Sequence, residues 1–180
     1  MIPISALVNK DSDIPADGSL PGSSEELNEI FRDLSKTLGD DWEVRLLEGV
    51  EGVTAPACRK MLDQIGINRE MTEAFALLDQ ACGPGITAGE VQQIVSPDVL
   101  EMSSILSADC SAEMVAACQR RASRQGWKGK CEARVLDAQQ SHLPAESFSH
   151  VTMSLGFHVI PDAEAALNGD YPFSPPRRYH

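Results

Sequence analysis

Apolar residues in the first third of the chain recur with the spacing of α-helices. The segment Ser23-Ser-Glu-Glu26 has the form of a capping box, in which a hydroxyl and an acid three residues later satisfy the start of a helix. Apolar residues then follow on one helical face: Leu27, Ile30, Phe31, Leu34 and Leu38. The pattern predicts a helix that starts at this box and runs to about Gly39.

The next stretch, from Trp42 to Val50, fits two patterns. Trp42, Val44 and Leu46 alternate as in a short strand, whereas Trp42, Leu46 and Val50 would share one face of a helix. Both interpretations stay open from the sequence, and the helix is favoured.

A further helix is predicted to begin at Thr54, after Gly49 and Gly52 have loosened the chain. Thr54 can act as its N-cap, Pro56 is tolerated in its first turn, and Gly66 ends the pattern. One face would carry Cys58, Met61, Leu62 and Ile65.

Short apolar runs alternate with helical patterns in the rest of the chain. Residues 75–78 and 105–109 have the length and content of strands, residues 131–136 alternate as in a third strand, and a fourth strand is predicted within 143–162. Helical patterns lie between the first three strands, over 87–95 and from 112 to about 125. The alternation predicts an α/β fold with a Rossmann-like, doubly wound and mostly parallel sheet behind N-terminal helices.

The first predicted strand ends in an acid and a glycine turn. Asp79 follows the apolar run, and Gly83-Pro84-Gly85 then allows a sharp turn and a close approach of a ligand to the backbone. Such a turn directs free backbone N–H groups towards the carboxyl ends of the strands. Open α/β sheets bind their ligands there.

Acids also end the next two predicted strands. Asp109 lies 24 residues after Gly85, near the roughly 20 that separate a phosphate-binding turn from a ribose-binding acid in nucleotide-binding units. A carboxylate suits a vicinal diol because it accepts two hydrogen bonds. Asp109 or Ser111 could equally serve only as a helix N-cap. Asp137 alone would be a turn residue, but three acids at successive strand ends point to a common site.

The stretch Leu-Leu-Asp79-Gln-Ala-Cys-Gly83-Pro-Gly85 resembles the first motif of the class I S-adenosylmethionine-dependent methyltransferases. The same turn also satisfies the G-x-G-x-x-A form of a dinucleotide fingerprint through Ala88, so a nicotinamide-dependent oxidoreductase stays an alternative. The acid four residues before Gly83 favours the methyltransferase, because a carboxylate gains little beside a pyrophosphate.

The resemblance implies that S-adenosylmethionine is the cofactor and assigns residues to it. Asp79 would lie near the amino-acid end of the cofactor, with Gly83 and Gly85 shaping the turn beneath it. The family's second acid, at Asp109, would bind the ribose hydroxyls. Cys110 would lie beside the adenosine. Asp137 would contact the adenine amino group, and the backbone N–H of Ala138 a ring nitrogen.

The resemblance also implies methyl transfer to oxygen or nitrogen of a small-molecule acceptor, in secondary metabolism. The segment Gly156-Phe157-His158 would face the reacting methyl group. His158 is the candidate catalytic base, because an unperturbed imidazole titrates near neutrality. A single histidine after a buried strand can also have a purely structural role. No metal is expected, since the histidines and cysteines lack ligand spacing.

Charge and composition exclude several classes of partner. The formal net charge of −12 and a pI near 4.6 argue against nucleic acid, whose phosphates require clustered Lys and Arg. No apolar segment is long enough for a membrane span. The five cysteines are odd in number and form no C-x-x-C pair, which fits free thiols in a reducing cytoplasm.

The predicted organisation has four parts: a flexible arm at 1–22, a helical segment at 23–70, a partial cofactor-binding domain at 71–165 and an irregular tail at 166–180. The family's sheet continues beyond the fourth strand, but the residues after 165 lack a strand pattern. The sheet is therefore expected to be incomplete, with an apolar edge at the fourth strand. A homo-oligomer or a partner methyltransferase would complete it. Alternatively, the protein binds cofactor or a partner without turnover.

Overall fold

The computed structural model describes residues 22–39, 42–144, 147–157 and 159–168. The predicted arm at 1–22 and the tail at 166–180 lie almost entirely outside these ranges, and His158 also lies outside them. Within the described residues, four strands and six α-helices form one α/β unit. None of the helices in these ranges is both long enough and apolar enough to cross a bilayer.

The sheet has four parallel strands in the order β3-β2-β1-β4. Residue Ala76 pairs with Ser104 of the second strand, and Leu77 pairs with His150 of the fourth. The strands are β1 (Ala76–Gln80), β2 (Ser104–Asp109), β3 (Lys130–Val135) and β4 (His150–Thr152). The predicted parallel α/β architecture is confirmed, because a parallel order of this kind requires crossover connections.

The sheet is open, and in the described residues β4 pairs with β1 alone. The fourth strand, predicted within 143–162, covers His150–Thr152. Leu155 adopts a left-handed conformation with φ of 57°. A Cβ on Gly156 would lie 2.7 Å from the Cβ of Ala81, so the chain turns closely over the end of β1 instead of continuing as a strand. Pairing of a further chain with the β4 edge stays a prediction.

The first helix, α1 (Ser24–Leu38), begins at the predicted cap. The Ser23 hydroxyl accepts a hydrogen bond from the Glu26 N–H at 3.2 Å, and the Glu26 carboxylate accepts one from the Gly22 N–H at 2.7 Å. The acid therefore caps one residue earlier than in an ideal capping box.

The second helix, α2 (Trp42–Gln64), is continuous over 23 residues. The favoured helix at 42–50 is confirmed, whereas the predicted break and the new start at Thr54 are wrong. Both halves are held by tertiary contacts: Glu43 and Glu51 bind arginines further along the chain, and Leu47, Val50, Ala55 and Cys58 pack together with Ile86. These contacts outweigh the low helix propensity of Gly49, Gly52 and Pro56.

Of the remaining helices, three lie between strands of the sheet and the last follows β4. The two predicted crossovers are observed with shifts of at most one residue, and a short helix also forms where a break was expected at Ser96-Pro97. They are α3 (Ile86–Ile94), α4 (Pro97–Met102), α5 (Ala112–Gln125) and α6 (Ala163–Asn168), with a 3₁₀ turn at Ala138–Gln140.

The main core lies between one face of β1 and β2 and the helices α2, α3 and α4. Leu62, Leu77 and Val91 are completely buried in it. Burial of each such side chain contributes about 1.5–3 kcal/mol. A second cluster, around Leu78 and Leu106, covers the other face of the sheet. Two packed layers thereby fix the strand ends where the site lies.

Candidate functional site

An open pocket of about 1010 Å³ lies at the carboxyl ends of β1, β2 and β3. It is enclosed by the glycine turn after β1, the segments after β2, β3 and β4, and the helices α1 and α2. The sequence-predicted residues on its surface are Gly83, Asp109, Cys110, Asp137 and Ala138. Three successive strand ends therefore contribute to one cavity.

The glycine turn is fixed to β2 by its backbone. The Cys82 N–H donates to the Ala108 carbonyl at 3.0 Å, and the Gly85 N–H donates to the Cys82 carbonyl at 3.0 Å. Gly83 (φ 52°) and Gly85 (φ 80°) are both left-handed, a conformation that favours glycine.

The two glycines have different surroundings. A Cβ on Gly83 would meet nothing within 4 Å, and Gly83 lines the pocket. A Cβ on Gly85 would lie 2.6 Å from the Cys118 sulfur and 3.1 Å from Trp127. Gly83 thus leaves room for a ligand, whereas Gly85 allows the start of α3 to pack on α5.

Ala81 stands in the turn with φ of 51°. Only glycine adopts this region routinely, so the alanine stores local strain. Ala81 also lines the pocket, and its Cβ is the atom that Gly156 approaches. The turns after β1 and β4 therefore meet at the cavity.

Asp109 ends β2 and is 7% exposed. One carboxylate oxygen accepts a hydrogen bond from the Gly83 N–H and the other from the Ser111 N–H, each at 2.9 Å. Burial raises the pKa of Asp109, while these two hydrogen bonds oppose the rise. Ser111 itself caps α5 by accepting from the Met114 N–H. Asp109 therefore links the glycine turn to β2, and each oxygen keeps a second lone pair for a ligand.

Asp137 precedes the 3₁₀ turn and accepts a hydrogen bond from the Gln139 N–H at 2.9 Å. Partial burial raises its pKa, but hydrogen bonds from Gln139 and Ser24 together outweigh that effect, so the pKa of Asp137 is lowered. Asp137 is therefore ionised at neutral pH. Ala138 is almost fully buried beside it.

Asp79 does not reach the pocket surface. Its side chain is completely buried in β1, and its Oδ1 accepts a hydrogen bond from the Thr152 hydroxyl at 2.9 Å. Burial raises the pKa of Asp79 to about 7, against the lowering effect of hydrogen bonds from Thr152 and Thr87. The negative charge of Asp109 also raises the pKa of Asp79, but Asp79 does not line the pocket as Asp109 and Asp137 do.

Cys110 lies on the pocket wall between Asp109 and Asp137. It is half-buried, and burial together with the two neighbouring carboxylates raises the pKa of its thiol to about 12. Cys110 is therefore a neutral contact surface at physiological pH and not a nucleophile.

Much of the pocket comes from residues that the sequence did not identify as site residues. Gln139 joins its two sides, because its amide donates to the Ser24 hydroxyl at 2.7 Å and to Asp137. The helical period of α1 and α2 revealed an apolar face but not whether that face meets the core or a cavity. The apolar wall consists of Leu27, Phe31, Leu46, Val50, Ile86, Met114, Leu136, Leu155, Val159, Ile160 and Pro161.

These residues fit the cofactor that the resemblance implied. Gly83 leaves open space beside the backbone. Asp109 and Asp137 present carboxylate oxygens at neighbouring strand ends, which match ribose hydroxyls and an amino group in donor and acceptor character. The surrounding apolar wall suits an adenine ring.

The fold and the site together define an open, parallel α/β protein with a nucleotide-type pocket at its strand ends. The family described as "Methyltransferase domain" matches residues 77–169, just over half of the chain. The chain therefore belongs to the class I S-adenosylmethionine-dependent methyltransferase family.

The chain is also similar to individual methyltransferases. The methyltransferase tpcH of Aspergillus fumigatus is 28% identical over 59% of this chain and 38% of its own length. The acetylaranotin bis-thiomethyltransferase of Aspergillus terreus is 26% identical over 72% of this chain and 44% of its own. A crystal structure of an S-adenosylmethionine-dependent methyltransferase from Aquifex aeolicus shares the fold, with a TM-score of 0.51 and 21% identity, over 61% of this chain and 54% of that protein. The chain thus spans about four-tenths of the length of these two fungal relatives.

Proposed function

We propose that this protein binds S-adenosylmethionine and transfers its methyl group to a small, apolar acceptor. The observation that carries the proposal is the meeting of Gly83, Asp109 and Asp137 in one cavity. Membership of the methyltransferase family supports the same cofactor. The activity stays a proposal for this chain, because the chain spans only about four-tenths of the length of its fungal relatives.

Each residue would have a defined task. Asp109 would accept hydrogen bonds from the ribose hydroxyls while keeping the glycine turn in place through the Gly83 N–H. Asp137 would accept from the adenine amino group, and Ala138 would lie against the ring. S-adenosylmethionine would supply a methyl group on a sulfonium, and the neutral thioether is a leaving group that needs no acid catalysis. The protein's contribution is therefore positioning and exclusion of water.

The acceptor side of the pocket indicates an uncharged, apolar molecule. Of the described residues that line the cavity, none is Lys, Arg or His, and the only acids are the two assigned to the cofactor. A carboxylate or phosphate acceptor would be buried there without a counter-charge. Apolar side chains from α1 and α2, among them Phe31 and Leu46, would instead cover a hydrophobic body.

We propose oxygen or nitrogen as the methylated atom, within secondary metabolism. One relative is named for methylation of sulfur, so thiols belong in the same test. A base is needed only for an acceptor that must lose a proton. His158 stays a prediction for the role of this base. A cytoplasmic location and the absence of a metal also stay predictions.

Titration calorimetry tests the cofactor first. S-adenosylmethionine and its demethylated product should bind with micromolar affinity, of the order of −8 kcal/mol, and NAD should not bind. Asp137→Asn should weaken the binding of S-adenosylmethionine and of its demethylated product by about tenfold, since a hydrogen bond to a charged group contributes about 1.5–3 kcal/mol. Asp98→Asn is the matched control, because Asp98 is an exposed acid on α4. Binding of NAD instead would favour the oxidoreductase alternative.

Turnover separates an enzyme from a binding module. The protein is incubated with S-adenosylmethionine that carries an isotope-labelled methyl group, together with apolar alcohols, phenols, amines and thiols. Transfer of the label to an apolar, uncharged acceptor supports the proposal. Cofactor binding without transfer to any of these classes would favour the non-catalytic alternative.

A further inference from the structure

A short chain of hydrogen bonds runs from α3 through α2 to the segment after β4. The thiol of Cys58, in α2, donates a hydrogen bond to the Ser154 hydroxyl at 3.2 Å. The same thiol lies 3.4 Å from the hydroxyl of Thr87, in the first turn of α3. Thr87 and Ser154 both line the large cavity, whereas Cys58 is completely buried. Both ends of the chain therefore reach the cavity.

The single proton of a thiol gives the chain a direction. The proton of Cys58 is used on Ser154, so Thr87 is the donor where it meets Cys58. Burial raises the pKa of the Cys58 thiol, and the thiol therefore keeps this proton at neutral pH. The Ser154 oxygen accepts through a lone pair and retains its own proton. Among the described residues, none accepts a hydrogen bond from the Ser154 hydroxyl. Ser154 is thus left as a donor on the cavity wall.

Ser154 lies far from the acids that are proposed to hold the nucleoside. The strand order is β3-β2-β1-β4; Asp137 follows β3, Asp109 ends β2 and Ser154 follows β4. Neighbouring strands lie about 4.8 Å apart, so Asp137 and Ser154 are separated by three strand spacings, roughly 14 Å. Cys58 joins Ser154 to α2, whose Val50 belongs to the apolar wall. The Ser154 hydroxyl therefore lies in the part of the cavity proposed for the acceptor.

We propose that the Ser154 hydroxyl, held by Cys58, donates a hydrogen bond to an oxygen of the methyl acceptor, which is an apolar molecule with a carbonyl, hydroxyl or ether group. The inference rests on the proposed function, because it names a group on the molecule that would be methylated. A single neutral donor suits a neutral oxygen. A carboxylate, such as that of the cofactor's amino-acid end, needs several donors or a cation when it is buried.

One donor in an apolar surrounding is enough to select between ligands. If a hydrocarbon covers the Ser154 hydroxyl, the hydroxyl loses its hydrogen bond to water and gains none in return. An oxygen at the same point restores the bond. The cavity should therefore bind an oxygen-bearing molecule about three- to tenfold more tightly than a hydrocarbon of the same shape. Cys58 acts through Ser154 and is a positioning residue.

Two molecules of equal shape test the donor without turnover. Acetophenone carries a carbonyl oxygen, and isopropenylbenzene carries a methylene group in its place. Calorimetry with the full chain, with and without the demethylated cofactor, should give acetophenone the higher affinity. Ser154→Ala should remove most of the difference. Equal affinities in the unsubstituted protein, or no binding of acetophenone, would overturn the proposal.

Ser35→Ala is the matched control for the loss of a serine hydroxyl. The Ser35 hydroxyl donates to the Arg32 carbonyl within α1 at 2.8 Å, and Ser35 does not line the cavity. This variant should keep the full preference for acetophenone. A preference that falls equally in Ser35→Ala and Ser154→Ala would count against a local role of Ser154.

The carbonyl stretching frequency of bound acetophenone reports the hydrogen bond itself. Isotope-edited infrared spectra should show a lower frequency in the unsubstituted protein than in Ser154→Ala. Cys58→Ala should broaden the band and raise its frequency, because the Ser154 hydroxyl is then no longer fixed, whereas Cys58→Ser should restore the band through its own O–H. An unchanged frequency in Ser154→Ala would refute the donor, and an unchanged band in Cys58→Ala would refute the positioning role.

Binding of the demethylated cofactor separates this inference from the proposed function. If Ser154→Ala weakens binding of the demethylated cofactor and leaves binding of acetophenone unchanged, the hydroxyl belongs to the cofactor site and the inference is wrong. If the unsubstituted protein does not bind the demethylated cofactor, the proposed function fails. The acetophenone measurements made without cofactor still decide whether Ser154 is a donor in the cavity.

Discussion

Asp79 should make the folded protein less stable as the pH rises through neutrality. The carboxyl is completely buried, and its pKa rises from the ordinary 3.8 to about 7. Between these two values the folded state binds a proton that the unfolded state has released. Linkage then requires the free energy of unfolding to fall with increasing pH, and the fall levels off above the folded pKa.

The magnitude follows from the difference between the two pKa values. One pKa unit corresponds to about 1.36 kcal/mol. The ionised carboxylate therefore costs the folded state roughly 4 kcal/mol at alkaline pH, and roughly 3 kcal/mol of this develops between about pH 5 and pH 8. Asp79→Asn removes the charge and can keep the hydrogen bond with Thr152, so its stability should lack this slope.

Urea unfolding of both proteins across this range measures the effect. The difference in free energy of unfolding reports on Asp79 together with its charge interaction with Asp109. His150, whose pKa burial lowers, contributes to both proteins. Asp98→Asn should unfold in parallel with the unsubstituted protein at every pH. A difference between Asp79→Asn and the unsubstituted protein that does not vary with pH would show that Asp79 is ionised in the folded state throughout, and the reasoning from burial would be wrong.

Three further substitutions test how the site is built, each by urea unfolding. Gly85→Ala should destabilise the protein by about 3 kcal/mol, because the new methyl group would overpack against Cys118 and the backbone is left-handed. Gly126→Ala is the control: its φ is 60° but the space around it is open, so it should cost only about 1 kcal/mol. Equal losses in the two variants would show that the contact with Cys118 adds nothing. Ala81→Gly should stabilise the protein by roughly 0.5–1 kcal/mol through relief of backbone strain. A loss of stability would mean that the contact of the Ala81 side chain with Gly156 contributes more than the strain costs. Glu43→Gln should destabilise the protein by about 1–3 kcal/mol, because Glu43 is largely buried and binds Arg120 and Arg124. No change would mean that the Glu43 ion pairs contribute nothing to holding α2.

The first two strands of the parallel sheet were predictable because their short apolar runs are buried on both faces. The residues of β1 and β2 are nearly all buried, so the runs at 75–78 and 105–109 gave a clear signal. The pattern failed where tertiary contacts decide the structure. Gly49, Gly52 and Thr54 indicated a break, yet the ion pairs of Glu43 and Glu51 with α5 lie far apart in sequence and cannot be read from local spacing.

The candidate site also combines features that local sequence patterns predict with features that the tertiary structure decides. That Asp109, Asp137 and Gly83 would lie at one cavity was predictable, because each stands at a strand end and the ends of parallel strands meet at one edge of a sheet. Their roles towards a cofactor stay predictions. Asp79 was predicted near the cofactor, yet its side chain is completely buried in β1 and bound to Thr152. Alternation decides which face a strand residue occupies, but an unbroken apolar run carries no alternation from which that face could be read.

The two halves of the pocket come from different parts of the chain. The segment that matches the methyltransferase family begins at residue 77 and contains Gly83, Asp109 and Asp137. The wall proposed for the acceptor is built largely by α1 and α2, which lie before that segment. Those helices are joined to the cofactor domain by side chains, through the Glu43 and Glu51 ion pairs with α5 and the Ser24–Gln139 hydrogen bond. Such contacts hold the helices in place without dictating their apolar faces. The apolar faces of α1 and α2 can therefore vary without disturbing the residues that are proposed to bind the cofactor.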